Sequence, residues 1–185
     1  MIEKERKHET IEYMDNDTKI NWLMDNYGQQ VIALAYTYVK QKEVAEDIAQ
    51  EVFIKCYERL DTFRNESSYK TWIYRITINK CKDVLRSWSF KHLIFTDFIF
   101  YKKDNPKNSP ELKSIEKEEN ELLSESVMSL PIKLREVIIL FYYEDLSIEE
   151  ISNLIECNEN TIKTRLHRAR IQLRKTHNGG DWDGR

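Results

Sequence analysis

The stretch Ser147 to Lys175, SIEEISNLIECNENTIKTRLHRARIQLRK, predicts two short helices separated by a tight break. Ser147 is followed three residues later by Glu150, a capping box that satisfies free backbone donors at a helix start. Apolar residues then recur at helical spacing on both sides of the break. They are Ile148, Ile151, Leu154 and Ile155 before it, and Ile162, Leu166, Ala169 and Leu173 after it. We expect Asn158, at the end of the break, to cap the second helix.

The second helix of this pair is basic outside its apolar stripe. Six cations lie between Asn158 and Thr176, against the single acidic residue Glu159. A basic helix backed by a shorter helix and a tight turn is typical of a helix-turn-helix, whose second helix enters the major groove of duplex DNA. The side chains that can contact base edges or phosphates are Asn160, Thr161, Lys163, Thr164, His167 and Arg168. A solvated basic helix is the alternative interpretation.

The composition indicates an all-helical protein. The 185 residues include only four Gly and three Pro, and 41% are hydrophobic, which is enough for one medium core or two small ones. The net charge of -3 conceals a segregation, because acidic and basic residues concentrate in different segments. The charge of each segment therefore indicates its partner better than the total does.

Catalytic and metal-binding classes have no support in the sequence. The three cysteines, Cys56, Cys81 and Cys157, are far apart, and the four histidines are equally scattered. We expect buried thiols in a reducing cytoplasm, no metal, no cofactor, no small-molecule substrate and no enzyme activity. The charged N-terminus does not resemble a signal peptide, and no apolar run approaches the length of a membrane span. We therefore expect a cytoplasmic protein.

Two amphipathic helices are predicted near the N-terminus, at about Thr18–Lys40 and Lys42–Leu60. The first has a stripe of Leu23, Tyr27, Val31, Leu34, Ala35 and Tyr38, and the second a stripe of Ala45, Ile48, Ala49, Val52, Phe53, Cys56, Tyr57 and Leu60. The opposite face of the second helix carries Glu43, Glu46, Asp47, Gln50, Glu51 and Glu58. This acidic face is either an ordinary solvated surface or a docking surface for a basic partner.

A third helix is predicted from Tyr69, capped by Ser67 or Ser68, to about Trp88. Between Lys70 and Lys91 it combines six cations and one Asp with several aromatic residues. Cations follow a phosphate backbone and aromatic rings stack on unpaired bases, so this mixture suits single-stranded or melted DNA. We interpret Ile73, Ile76 and Val84 as core. For Trp72, Tyr74 and Asn79, core packing and base contact are both open.

The rest of the chain completes a second helical domain. The segment Phe90 to Tyr101 lacks a clean period, and three interpretations remain: a helix extension, a strand-like patch or a partner-binding segment. Polar sequence around Pro106 then predicts a linker. Further helices are expected at about Pro110–Ser129 and Ile132–Tyr143. The predicted domains are an arm at 1–17, a first domain at 18–90, a flexible linker at 91–112, a second domain at 113–176 and a tail at 177–185.

Two segments resemble a known family, in the family's order. Val44 to Arg86, VAEDIAQEVFIKCYERLDTFRNESSYKTWIYRITINKCKDVLR, resembles region 2 of the extracytoplasmic-function (ECF) class of sigma factors in the sigma-70 superfamily. Leu130 to Lys175 resembles their region 4. The resemblance implies an alternative sigma factor that binds core RNA polymerase and directs it to promoter DNA. Two departures are Asn160, where the family often has Gly, and Phe90 to Tyr101, which matches no family motif.

The resemblance also implies roles for individual residues. The polymerase-binding positions are Glu46, Asp47, Gln50 and Glu51, on the acidic face. The positions expected to read the -10 element are Tyr69, Trp72, Tyr74, Arg75 and Asn79, next to the loop Phe63 to Tyr69. The positions expected to read the -35 element are Thr161, Lys163, Thr164, Arg165, His167 and Arg168. The class also implies an anti-sigma factor as a partner, commonly one that is anchored in the membrane and clamps the two domains.

Two other functions are compatible with the residues alone. One is a helix-turn-helix regulator that binds duplex DNA without polymerase, with the first domain serving as a sensor. The other is a helical adaptor that binds no DNA, whose acidic helices form the interface and whose basic helices are solvated.

Overall fold

The computed structural model of the chain describes residues 15–63, 67–95 and 123–176, with the backbone alone over 88–95. Every regular element within these ranges is a helix, as expected for the predicted all-α class. The chain divides into two compact units, Met1–Val84 and Leu85–Arg185.

Three helices shape the first unit: α1 at Asn16–Val39, α2 at Lys42–Arg59 and the larger part of α3, which spans Tyr69–Phe95 and continues past the boundary at Val84. Asp15 caps α1, because its carboxylate accepts a 2.8 Å hydrogen bond from the Thr18 amide. Ser68 caps α3 in the same way, with its hydroxyl oxygen 3.1 Å from the Thr71 amide nitrogen. Of the two predicted caps, Ser68 is therefore the one in place. Most of the predicted arm at 1–17 lies outside the described residues.

The apolar stripes of α1 and α2 pack against each other. On α1 the predicted stripe is buried except for the half-buried Tyr27, and on α2 it is buried except for Tyr57. The prediction for Tyr57 is wrong, because its side chain is 47% exposed and its hydroxyl donates a 2.9 Å hydrogen bond to Asp17. A tyrosine at the margin of a stripe can keep its hydroxyl in water, and here the hydroxyl ties the end of α2 to the start of α1.

Helix α3 continues to Phe95, seven residues beyond its predicted end at Trp88. The sequence has no Gly or Pro between Tyr69 and Phe95, so the loss of amphipathic period after Trp88 does not break the backbone hydrogen bonding. For Phe90 to Phe95 the helix-extension interpretation is therefore confirmed. Residues 96–101 and the predicted linker centre near Pro106 lie outside the described residues.

The second unit contains α4 at residues 123–129, α5 at Ile132–Ile138, α6 at Ile148–Ile155 and α7 at Glu159–Thr176. A π-helical turn, Ile139–Tyr143, extends α5. Residues 110–122 of the predicted Pro110–Ser129 helix lie outside the described residues. Helices α5 and α6 both pack on α7, and all four residues of the predicted α7 stripe are buried.

Two charged residues, Arg135 and Glu136, are buried in the second unit, and the apolar periodicity does not predict this. Their side chains are on α5 and only 4% and 6% exposed. Arg135 Nη1 donates to the backbone carbonyl of Met128 at 2.7 Å and to that of Leu130 at 3.2 Å. These bonds satisfy carbonyls at the end of α4 and hold the turn between α4 and α5.

The three thiols are expected to differ in reactivity. Burial raises the pKa of Cys56 and of Cys81 to about 12, whereas Cys157 lies partly exposed in the break before α7. At pH 8 a thiol of that pKa is thiolate in only about one molecule in ten thousand, so alkylation should label Cys157 alone until the protein unfolds. Peptide mass spectrometry after timed iodoacetamide treatment measures this. Equal labelling of Cys81 and Cys157 in the native protein would contradict it.

Candidate nucleic-acid interface

The helix-turn-helix predicted from Ser147 to Lys175 is present in α6 and α7. Ser147 Oγ accepts from the Glu150 amide at 3.1 Å, and Glu150 Oε2 accepts from the Ser147 amide at 2.8 Å, which completes the capping box. Helix α6 ends at Glu156 in a left-handed conformation with φ of 54°. Asn158 Oδ1 then accepts a 2.8 Å hydrogen bond from the Asn160 amide and starts α7.

The outward face of α7 carries the side chains expected to read duplex DNA. An α-helix has 3.6 residues per turn, so residues three or four apart lie on the same face. Because the apolar stripe of α7 is buried, the opposite face of the helix is exposed to solvent. The exposed residues there are Asn160, Thr161, Thr164, His167 and Arg168. Lys163 is also exposed, and its ammonium lies 3.4 Å from Glu159 one turn earlier.

Two arginines of α7 point sideways and hold the helix against the rest of the unit. Arg165, one of the predicted -35 contacts, has a side chain only 20% exposed, and its Nη1 lies 3.8 Å from Glu136 Oε2. Arg170 Nε donates a 2.9 Å hydrogen bond to the Tyr142 hydroxyl, and its guanidinium lies 5.6 Å from the centre of that ring. Both contacts are to the α5 segment and its π-helical turn, so the structure assigns these cations an orienting position.

One face of α3 carries a polar and aromatic stripe. Trp72, Arg75 and Asn79 are spaced three and four residues apart, so they share a face; Trp72 is half-buried and the other two are exposed. Lys82 and Arg86 continue the same spacing. These two cations were not among the predicted site residues, although their three- and four-residue offsets from Asn79 are visible in the sequence.

Two of the predicted -10 residues, Tyr69 and Tyr74, lie in the interior. Tyr69 is 4% exposed and Tyr74 is fully buried. The Phe63 ring stacks on Tyr69 with centroids 4.6 Å apart and lies 4.9 Å from the Trp72 ring. For Tyr74, the structure therefore favours core packing, and Tyr69 and Phe63 form the aromatic support behind Trp72.

Two cations pair with carboxylates of the acidic face of α2. Lys42 pairs with Glu46 at 3.7 Å, and Lys80 of α3 pairs with Glu51. Asp47 and Gln50 are exposed between these pairs. The same outward stripe continues with Ile54, which is 60% exposed, and then Tyr57. Ile54 is an apolar surface residue that sequence reasoning left out, although its spacing from Asp47 and Gln50 places it on their face.

Within 15–63, 67–95 and 123–176, none of the helices combines the length and apolar character that crossing a membrane requires. The His, Cys, Asp and Glu side chains of the same residues form no group of three placed to hold a metal ion.

The geometry defines a class of protein. One helical unit presents a helix-turn-helix with an exposed polar and basic face, and the other presents a basic and aromatic helix beside an acidic one. A helix-turn-helix on one unit and a helix that combines cations with aromatic side chains on the other are typical of a two-part DNA-binding protein.

Comparison with known proteins identifies the family. The sigma-70 region 2 model matches residues 23–89 and the sigma-70 region 4 model matches residues 120–173, which together exceed half of the chain. The chain belongs to the sigma-70 family, as a sigma factor of the ECF type. Promoter-specific initiation of transcription is the function of this class, and it is the function of this chain.

Similar curated proteins span nearly the whole chain. The RNA polymerase sigma-H factor of Pseudomonas aeruginosa is 30% identical over 184 residues, covering 95% of each chain. The ECF RNA polymerase sigma-E factor of Escherichia coli K12 is 35% identical over 158 residues, covering 81% of this chain and 82% of the relative.

Solved structures share the fold. The sigma factor RpoE from Bartonella quintana, solved with the anti-sigma factor NepR, is similar with a TM-score of 0.68 and 21% identity, over 86% of this chain and 96% of that one. CnrH, solved with the cytosolic domain of CnrY, has a TM-score of 0.60 and 19% identity, over 86% and 87%.

Proposed function

We propose that this sigma factor docks on core RNA polymerase through the acidic face of α2, reads the -10 element as unpaired DNA with α3, and reads the -35 element as duplex with α7. The observation that supports this division is the exposure pattern. Arg75 and Asn79 of α3 are open to solvent, and so is the outward face of α7, while the apolar stripes of both helices are buried.

The -35 element is read by the outward face of α7. Arg168 has the donor geometry for a guanine edge, and Thr161, Thr164 and His167 lie on the same face within reach of neighbouring bases. Lys163 serves as a phosphate contact. Arg165 acts indirectly, because its ion pair with Glu136 sets the orientation of α7.

The -10 element is held by the polar and aromatic stripe of α3. Trp72 supplies a stacking surface for an unpaired base, and the packed rings of Phe63 and Tyr69 limit its motion. Arg75 and Asn79 offer donors and an amide beside that base. Base extrusion costs a few kcal/mol, which a preformed stacking surface offsets. Tyr74 supports α3 from the core.

Polymerase docking uses Asp47 and Gln50, with Glu46 and Glu51 beside them. The family resemblance points to the polymerase clamp helices as the partner surface. The adjoining Ile54 and Tyr57 add apolar area to an otherwise acidic face. Interfaces commonly combine such apolar contacts with a polar rim, so these two residues extend the docking surface.

Localisation, the absence of catalysis and the regulatory partner are inferred from membership of the ECF class of sigma factors. We place the protein in the cytoplasm, without catalytic activity, cofactor or small-molecule substrate of its own. An anti-sigma factor, commonly membrane-anchored in this class, is the regulatory partner that the resemblance implies. The two-domain division at 18–90 and 113–176 remains part of the proposal.

In vitro transcription tests the function. The purified chain is mixed with core polymerase and a library of promoter templates, and we expect transcripts that start at templates sharing a two-part element. Transcripts equal to those from core polymerase alone would overturn the proposal. Tight sequence-specific duplex binding without polymerase would instead identify a helix-turn-helix regulator.

Arg168→Ala is expected to weaken promoter binding by the holoenzyme by about 1–3 kcal/mol, the usual value of a bidentate arginine–guanine contact. The loss should disappear on a template whose -35 element is scrambled. Lys175→Ala, which removes an exposed cation from the last turn of α7, is the control. Competition binding at fixed salt measures both, and an equal loss for both variants on both templates would show that Arg168 contacts only phosphate.

A further inference from the structure

Two threonines on the outward face of α7 differ in their hydrogen bonding. The hydroxyl of Thr164 donates to the backbone carbonyl of Asn160 one turn earlier, with an oxygen–oxygen distance of 2.7 Å. Within the described residues the hydroxyl of Thr161 makes no such bond to a carbonyl. A hydroxyl has one hydrogen to donate, so Thr164 has committed its donor and Thr161 has not.

This commitment limits what Thr164 can recognise in a major groove. Guanine N7 and O6 and thymine O4 are acceptors, and each needs a donor from the protein. The groups left on Thr164 are the lone pairs of its hydroxyl oxygen and its methyl group. They match the amino groups of adenine and cytosine, and the C5-methyl of thymine. Only an A·T pair presents both an amino donor and a methyl group.

We propose that Thr164 selects an A·T pair in the -35 element through contact between its methyl group and the thymine methyl. The inference rests on the proposed role of α7 in -35 recognition and adds the base-pair class read at one position. Two observations support it: the side chain is exposed, and it lies on the same face as His167 and Arg168. Thr164 is therefore a specificity-determining residue.

Two substitutions at Thr164 separate the contribution of its methyl group from that of its hydroxyl. Thr164→Ser keeps the hydroxyl and removes the methyl, whereas Thr164→Val removes the hydroxyl and keeps methyl groups. Serine, threonine and valine have similar helix propensities, and the site is exposed, so neither change should unfold α7. Thr161→Ser removes the matching methyl from the threonine whose donor is uncommitted, and it serves as the control.

The experiment uses the complete chain with core polymerase. A -35 element is first selected from randomised duplex templates, and each thymidine in it is then replaced singly by deoxyuridine, which lacks the methyl. At one thymidine position, on either strand, we expect the wild-type protein to bind the deoxyuridine template about fourfold less tightly than the thymidine template. Removing one buried methyl-sized group weakens binding by about this factor. On the thymidine template, Thr164→Ser should bind about fourfold less tightly than the wild-type protein. On the deoxyuridine template, Thr164→Ser and the wild-type protein should bind equally tightly.

The remaining variants distinguish the possible failures. Thr164→Val and Thr161→Ser should retain the fourfold preference for thymidine at that position. The inference is overturned if Thr164→Ser discriminates between the two templates as wild type does, or if Thr164→Val loses the preference. Failure to select any -35 element, with no promoter-specific transcript, would overturn the proposed function itself; a selected element with no methyl effect removes only the role of Thr164.

Discussion

Leu166→Ala is expected to destabilise the second helical unit by about 2–5 kcal/mol, the largest effect expected of any single change described for this unit. Leu166 is 2% exposed in the middle of α7, on the face that packs against α5 and α6. Truncation leaves a cavity in a small core, where neighbouring side chains relax only partially. Since small domains are stable by roughly 5–15 kcal/mol, this change removes a large part of the unit's free energy of unfolding.

Hydrogen exchange of the α7 amides, followed by mass spectrometry, measures that loss in the full-length chain. Gln172→Ala is the matched control, because Gln172 is exposed on the same helix and alanine favours helix. We expect its effect to stay within about 0.5 kcal/mol. Protection factors in Leu166→Ala equal to those of wild type would mean that α7 does not depend on this contact. Loss of -35 recognition should accompany the loss of protection.

Asp47→Lys is expected to reduce affinity for core RNA polymerase at least about tenfold, which corresponds to about 1.4 kcal/mol. Asp47 is exposed at the centre of the acidic face, so the change replaces attraction to a basic partner by repulsion. The fold should be unaffected, because the side chain makes no core contact. Titration of labelled core polymerase with the variant measures the affinity, and circular dichroism checks the helix content.

A second charge reversal controls for the change in net charge. Asp25→Lys makes the same substitution at an exposed position of α1. It should alter polymerase affinity by less than about twofold at physiological salt, since exposed charges far from an interface are screened. Equal weakening by Asp25→Lys and Asp47→Lys would attribute the effect to long-range charge. Unchanged affinity of Asp47→Lys would show that the acidic face is only solvated.

The pairing of Glu51 with Lys80 connects α2, the helix proposed for docking, to α3, the helix proposed to hold unpaired bases. Glu51 is on the acidic face of α2, and Lys80 follows Asn79 on α3. Both side chains are partly exposed, so the pair contributes at most about 1 kcal/mol to stability. The pair therefore matters mainly for position, because it holds α2 and α3 beside each other at this point.

The sequence alone predicted those helices whose caps and apolar stripes are formed by residues close together in the chain. The capping box at Ser147, the cap at Asn158 and the buried stripe of α7 all lie where they were expected, because each depends on residues within two turns of one another. The two segments that resemble sigma regions 2 and 4, found together and in that order, also identified the family. Helix ends without a Gly, Pro or cap were less predictable, and α3 accordingly extends beyond its expected end.

Tertiary structure decided which side chains remain available for function. Tyr57 lies at the edge of its stripe and bonds Asp17, whereas Tyr74 is enclosed by core packing. Arg165 of α7 pairs with Glu136, a buried carboxylate on α5. These outcomes depend on partners that lie far apart in sequence, and the periodicity of a single helix carries no information about them. Sequence therefore specified helices α3 and α7, which are proposed to read DNA, and packing determined which of their side chains remain exposed.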